Sequence, residues 1–261
     1  MVDRVVIVTG ASRGLGAATA RIAGEMGAGV VLVARSESDL DRVAQQVRHA
    51  GGQPLVVPGD VGVPDDCRRV VRETVDTFGR IDGLVNNAGI LGPMGPVAQA
   101  EADEWHYNWA VNVLGPVIIT AEALPHLRAA RGRVVNISSG AAVHAVPGWG
   151  AYCLSKAAIN HFTRMLAAEE PGVSAIALRP GVVDTDMQAT IRAEGPEAMP
   201  AAEYARFVRY HEAGELLPPE APGCAAAVLA FHALHEWSGE FMSWDDERVQ
   251  SLTRRYACAQ R

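Results

Sequence analysis

The stretch Arg4–Gly16, RVVIVTGASRGLG, decides the fold. Arg4–Thr9 is a β-branched run of the kind that forms a strand buried on both faces. Glycines at 10, 14 and 16 follow at once. They lead into Gly14–Met26, a segment with small residues on one side that reads as a helix. Glycine permits the tight turn and lets backbone N–H groups approach an anion, and the helix N-terminus adds a favourable dipole. A glycine triplet alone means little. Between a strand and a helix it reads as a dinucleotide-binding turn, with an ordinary βα turn as the alternative.

Outward from this unit the same alternation continues. Val30–Ala34, Gln53–Val57, the segment ending Leu84–Asn86, Arg133–Ser138 and Val173–Leu178 read as strands, largely continuous apolar runs rather than alternating ones. Ser36 is placed as an N-cap for a helix running to about Ala50, and Pro64 opens another that ends at Phe78. A long helix is expected over about Asp103–Ala129, with Pro116 and Pro125 as kink or break points. The helix that contains Tyr152 and Lys156 follows the fifth strand. Continuous apolar strands alternating with helices predict an α/β, Rossmann-type, doubly wound parallel sheet in three layers. The expectation is a single domain over 1–261. Its dinucleotide-binding half covers about 1–115 and its catalytic half about 116–261. Residues 184–217 leave the pattern as a long excursion with no clear strand. A last helix at about Pro222–His235 and a short segment near Glu240–Ser243 close the chain.

The chain has 261 residues and a formal net charge of −7. An acidic surface argues against nucleic-acid binding, which needs phosphate neutralisation. No apolar run approaches the length of a membrane span, and the apolar part of the N-terminus is too short for a signal peptide. Cys67, Cys153, Cys224 and Cys258 are scattered and read as small hydrophobes and a tail thiol. No His, Cys and acid cluster has metal-ligand spacing. A cytoplasmic protein that binds neither membrane, nucleic acid nor metal is expected.

The second strand ends in Ala34-Arg35-Ser36, where an NAD site would place an acid for the ribose 2′-hydroxyl. Arg35, with Arg13 in the glycine loop, suits a 2′-phosphate instead, so NADP(H) is favoured over NAD(H). Tyr152 and Lys156 stand at i and i+4 on one helix face. A phenol titrates near 10, and a nearby ammonium favours the phenolate. Lowering the phenol by about three units takes roughly 4 kcal/mol, much of which one ammonium in a partly buried site can supply.

The order and spacing of several segments resemble the short-chain dehydrogenase/reductase family through about Asp186. They are Thr9–Gly16 (TGASRGLG), Asp60-Val61, Asn86-Asn87-Ala88-Gly89, Asn112, Ser139, Tyr152-x-x-x-Lys156, and Pro180-Gly181 with Thr185. The stretches ILGPMGPV (90–97), EWHYNWAVNVLGP (104–116) and RPGVVDTDMQ (179–188) are similar to its sepiapterin reductase and benzil reductase branch. The resemblance implies a cofactor across the carboxyl ends of the strands. It would touch Gly10, Ser12, Arg13, Gly14, Leu15, Gly16 and Arg35. Asp60 and the Val61 backbone would meet the adenine, and Asn87, Ala88 and Gly89 the adenosine side. Pro180, Gly181, Val183 and Thr185 would lie at the nicotinamide carboxamide, with Tyr152 and Lys156 at its ribose. It further implies Tyr152 as general acid, Lys156 as modulator of its pKa, Ser139 as partner of the substrate oxygen and Asn112 as holder of a proton-relay water. A bland reading of Asn112, bonding backbone in a kinked helix, stands beside that role.

Position alone makes Trp149, Met94, Met187 and Gln188 pocket candidates, while His144 reads as structural. Trp105, Tyr107 and Trp109 read as core or subunit-interface residues rather than cofactor ligands. Tyr204, Phe207 and Tyr210, at the helical spacing i, i+3, i+6, suit an apolar lid. The expected activity is NADPH-dependent reduction of a small ketone or α-dicarbonyl by a homodimer or homotetramer. A polyol, alcohol or hydroxysteroid dehydrogenase running in the oxidising direction, and a nucleotide-sensing protein without turnover, are the rivals.

Overall fold

The computed structural model of the chain describes residues 2–257, so Cys258 lies outside the described residues. Its strands are β1 Val5–Thr9, β2 Gly29–Ala34, β3 Gln53–Pro58, β4 Gly83–Asn86, β5 Arg133–Ile137, β6 Ser174–Arg179 and β7 Phe241–Ser243. All pair in parallel, in the order β3-β2-β1-β4-β5-β6-β7. Alternation along each strand sends successive side chains to opposite faces. Val6, Val8, Val30 and Leu32 pack on one face, and Val5, Ile7, Val31 and Val33 on the other, each set against its own helical layer. The helices are α1 Gly14–Glu25, α2 Glu37–His49, α3 Pro64–Phe78, α4 Ala102–Trp109, α5 Gly115–Ala130, α6 Gly150–Glu169, α7 Asp186–Ala198, α8 Ala201–Glu212, α9 Glu220–His232 and α10 Glu247–Ala257. Strand order reverses between β1 and β4, and a crevice opens there at the carboxyl ends of the strands.

The local signals explain most boundaries. Ser36 accepts the Asp39 N–H at 3.4 Å and caps α2, and Pro64 occupies the first turn of α3. The expected break at the prolines is not found. Helices α4 and α5 run on through a π-helical turn at Ala110–Leu114. That extra residue in the turn accommodates Pro116, whose ring and missing N–H would disrupt a regular α-helix. Pro125 is exposed within α5. The resulting 29-residue helix, Ala102–Ala130, is long and apolar enough to cross a membrane, which corrects the reading from runs alone. Its apolarity has a simpler cause: Ile119, Ala123 and Leu127 are fully buried against the sheet layer.

The excursion at 184–217 is not loop but the helical pair α7 and α8. Its ends are tied by a one-residue parallel bridge, Val183 to Leu217, with Asp184 N–H donating to the Leu217 carbonyl at 2.9 Å. Helix α10, which the sequence reading does not place, begins where Asp246 accepts the Arg248 N–H at 2.9 Å.

Helix α9 ends in a titratable contact. Arg4 donates to His232 Nε2 at 2.9 Å, and Tyr256 stacks on the same imidazole at 3.6 Å between centroids. Burial first, then the charges of Arg4, Arg133 and Arg255, push His232 down from 6.5 to about 4. The unfolded chain therefore binds a proton near pH 6.5 that the folded chain refuses until about 4. Stability is complete above pH 6.5 and falls as pH drops toward 4, by on the order of 3 kcal/mol. Denaturant midpoints across that window should decline, and His232→Gln should flatten the slope attributable to this group.

Candidate active site

The glycine loop is held from below. Asn87 Nδ2 donates to the carbonyls of Thr9 and Gly10 at 2.8 and 3.2 Å, and the N–H groups of Asn87 and Ala88 both donate to Thr9 Oγ1 at 3.0 Å. Asn87 thus braces β1 against β4 at the crevice. A Cβ added at Gly16 would lie 2.2 Å from the Gly10 carbonyl oxygen, so only glycine allows this loop to fold back on α1.

Above the loop lies a cleft of about 680 Å³. That volume falls within the range of small-molecule and cofactor sites. The structure brings together Gly10, Ser12, Arg13, Gly14, Leu15, Gly16, Arg35, Asp60, Val61, Asn87, Ala88, Gly89, Pro180, Gly181, Val183 and Thr185, with Ser139, Tyr152 and Lys156. The cradle made by Gly16, and a buried ammonium with one protein acceptor, fit the phosphate and ribose groups of a dinucleotide.

Helix α6 is fixed to the sheet by buried amides that the sequence reading did not single out. Asn86 Nδ2 donates to Asn136 Oδ1 at 2.8 Å, Asn136 Nδ2 to Thr163 Oγ1 at 2.9 Å, and Ser138 Oγ to Asn160 Oδ1 at 2.6 Å. Asn136, Asn160 and Thr163 are polar at positions where the strand and helix patterns call for apolar residues, which is the signal that identifies them. Buried hydrogen-bond networks rigidify their surroundings, and of the side-chain atoms in this one Asn86 Oδ1 is left unpartnered. Here they set the rotation of α6, so that Tyr152 and Lys156 face the cleft. Ser138 turns inward to Asn160 while Ser139 turns to Tyr152, as strand alternation requires.

The electrostatics differ from the expectation. Burial pushes the Tyr152 phenol up to about 12, and bonding to Ser139 only partly pulls it back. Burial likewise brings Lys156 down to about 8. Its Nζ donates to the Ile137 carbonyl at 2.7 Å and sits 5.5 Å from the Tyr152 ring centroid. Desolvation thus outweighs the attraction between ammonium and phenolate that the i, i+4 spacing implies. The phenol is held protonated, the form a proton donor requires.

Asn112 is buried but does not line the cleft. Its Oδ1 accepts from Ile90 N–H at 2.8 Å, and its Nδ2 donates to the Ile90 carbonyl at 2.8 Å and to Ser155 Oγ at 3.1 Å. The side chain bonds backbone in the π-turned helix, as the bland reading has it. Pro116, four residues on, brings no N–H to the Asn112 carbonyl.

Trp149, Met187, Gln188, Ile191 and Phe207 line the far end of the cleft, whereas Met94, Tyr204 and Tyr210 pack behind it. Trp149 meets Phe207 at 4.8 Å and Tyr152 edge-on at 5.9 Å between centroids. Trp149 Nε1 and Gln188 Oε1 are buried without a hydrogen-bond partner. His144 is exposed and outside the cleft. Arg13 pairs with Asp186 at 2.8 Å, across from the glycine loop to α7. Tyr107, expected in core or interface, instead lines the cleft, with its hydroxyl between Arg35 and Asp60. Its signal was helical spacing: Tyr107 and Val111, one turn apart, share the face turned to the cleft.

The sequence pattern of the short chain dehydrogenase family matches residues 4–195. An uncharacterized oxidoreductase of Schizosaccharomyces pombe is 36% identical over 93% of this chain and 96% of its own. The benzil reductase ((S)-benzoin forming) of Saccharomyces cerevisiae is 34% identical over 94% of this chain and 97% of its own. A crystal structure of a short chain dehydrogenase/reductase from Saccharomyces cerevisiae superposes with a TM-score of 0.91 at 36% identity, covering 95% of this chain and 99% of that one. Among more distant structures, at 26% identity, a 3-oxoacyl-[acyl-carrier protein] reductase from Brucella melitensis is a complex with NAD. It superposes with a TM-score of 0.80 over 93% of this chain and 95% of its own.

Proposed function

The chain belongs to the short-chain dehydrogenase/reductase family, in its benzil reductase branch, and on that premise we propose that it is an NADPH-dependent carbonyl reductase of α-dicarbonyl compounds with an aromatic substituent. The observation that carries this reading is the placement of the buried Tyr152 phenol with Ser139 and Lys156 on the wall of one glycine-cradled cleft. A bound nicotinamide cofactor supplies the hydride.

The chain's own groups do the rest. Ser139 orients the carbonyl oxygen and donates to the charge that develops on it. Tyr152 Oη gives its proton to that oxygen. The ammonium of Lys156 favours the phenolate left behind and, with a water at the Asn112 carbonyl, returns a proton to it. Trp149 and Phe207 offer an aromatic wall, and the indole N–H of Trp149 and the amide of Gln188 offer polar contacts for a second substrate oxygen. Arg35 lines the cleft just past the end of β2, and a guanidinium there supports NADPH over NADH because it suits a 2′-phosphate. A homodimer or homotetramer in the cytoplasm belongs to the same proposal. Exposed Trp109 and Leu114 on the long helix and Leu154 and Met165 on α6 support the oligomer.

The test is consumption of NADPH and of NADH with benzil and with an aliphatic vicinal diketone. Faster turnover of benzil with NADPH is expected. Binding of cofactor with no turnover of any diketone would turn the reading toward a nucleotide sensor. The rate of reduction should stay level through neutrality and fall above about pH 8, as Lys156 loses its proton while Tyr152 keeps its own. A rate that rises above pH 8 would remove Lys156 from this role.

A further inference from the structure

Three side chains from three separate elements meet at the adenosine end of the cleft. Arg35 follows β2, Asp60 follows β3, and Tyr107 comes from α4. Arg35 Nη1 donates to Tyr107 Oη at 3.0 Å, and Tyr107 Oη donates to Asp60 Oδ2 at 3.4 Å. The other carboxylate oxygen, Oδ1, accepts the Gly62 N–H at 2.8 Å, and the Asp60 N–H donates to Asp66 Oδ2 at 2.9 Å. Asp66 is itself held ionised below the usual carboxylate range, chiefly by Arg69. Asp60 is therefore held in place, and Tyr107 links it to the exposed guanidinium of Arg35.

A direct Arg35–Asp60 ion pair would neutralise the cation on which 2′-phosphate recognition depends. It would also engage the parallel N–H pair that grips a phosphate. The phenol prevents this. It accepts one of the five guanidinium protons and satisfies the carboxylate with its own, leaving the remaining donors of Arg35 to the cleft. Among the described residues, Arg35 has no acidic partner within 4.0 Å and Tyr107 is its hydrogen-bond partner.

We propose that Tyr107 is a positioning residue for cofactor selection: its hydroxyl stands between Arg35 and Asp60 and holds the guanidinium open to a ribose 2′-phosphate. The proposal rests on the assignment of Arg35 to that phosphate and goes beyond it. Tyr107→Phe keeps the ring and removes only the bridge.

The test measures dissociation constants of NADPH and NADH by quenching of intrinsic fluorescence, with thermal midpoints as a check on folding. Tyr107→Phe should weaken NADPH about fivefold, the scale of one exposed hydrogen bond to a charged group, and change NADH less than about twofold. Arg35→Ala should abolish the preference for NADPH, and adding Tyr107→Phe to it should cost nothing further, because the two act as a unit. If Arg35→Ala removes the preference but Tyr107→Phe leaves it intact, the role of Tyr107 is wrong and the Arg35 assignment stands. If Arg35→Ala leaves the preference unchanged, the 2′-phosphate assignment fails and takes this proposal with it. Equal weakening of both cofactors by Tyr107→Phe would reduce Tyr107 to a structural residue.

Discussion

Tyr152→Phe should yield a protein that folds and binds cofactor normally and reduces ketones at least about a thousandfold more slowly, within the range by which a positioned acid accelerates reactions. The phenol is buried, carries its proton up to about pH 12 and contacts Ser139. Phenylalanine preserves the ring, so the edge-on contact with Trp149 survives and the helix keeps its seat. What is lost is the proton at the carbonyl oxygen. Stopped-flow reduction of benzil, with NADPH affinity measured alongside, separates the two effects. A variant within tenfold of the parent rate would show that another group supplies the proton. Loss of NADPH affinity with folding intact would mean that the phenol acts mainly in binding.

The second large effect is expected at Gly16→Ala. The added methyl would sit 2.2 Å from the Gly10 carbonyl oxygen and 2.5 Å from Asn87 Nδ2, both parts of the brace between β1 and β4. Backbone cannot yield as a flexible side chain does, so the loop must move. Overpacking of this kind costs about 1–3 kcal/mol. Cofactor affinity should fall by about thirtyfold or more, and the thermal midpoint should drop. Gly172→Ala serves as the contrast, because a methyl there meets nothing within 4 Å. If Gly16→Ala behaves like Gly172→Ala, the loop is softer than its packing indicates.

The parts of this protein legible in its sequence are those set by short-range rules. The β-branched run before Gly10, Ser36 ahead of α2 and Pro64 at the start of α3 each act within a turn, and the strands and helices fall where these signals place them. Ser139, Tyr152 and Lys156 could be singled out through the resemblance of their spacing to the family pattern, and the structure sets them on one cleft. The excursion was not, since its helices rest on contacts such as Phe207 against Trp149, which lie far apart in the chain. Pro116 misled for a related reason: a proline signals a break, and only packing against the sheet keeps the helix continuous through a π-turn. The pKa of Tyr152 was misread because spacing reports the nearby ammonium and says nothing of burial. Tyr107 was missed because its partners come from two other strands.

The buried ammonium of Lys156 has one more consequence. It is the single lysine among 261 residues, the other basic side chains of that class being arginines. Reagents that acylate or reductively alkylate side-chain amines thus find one target here, at the floor of the cleft, and none on the exterior. Attachment to surfaces or dyes through lysine would modify the cleft, so immobilisation of this protein is better directed to carboxylates or thiols.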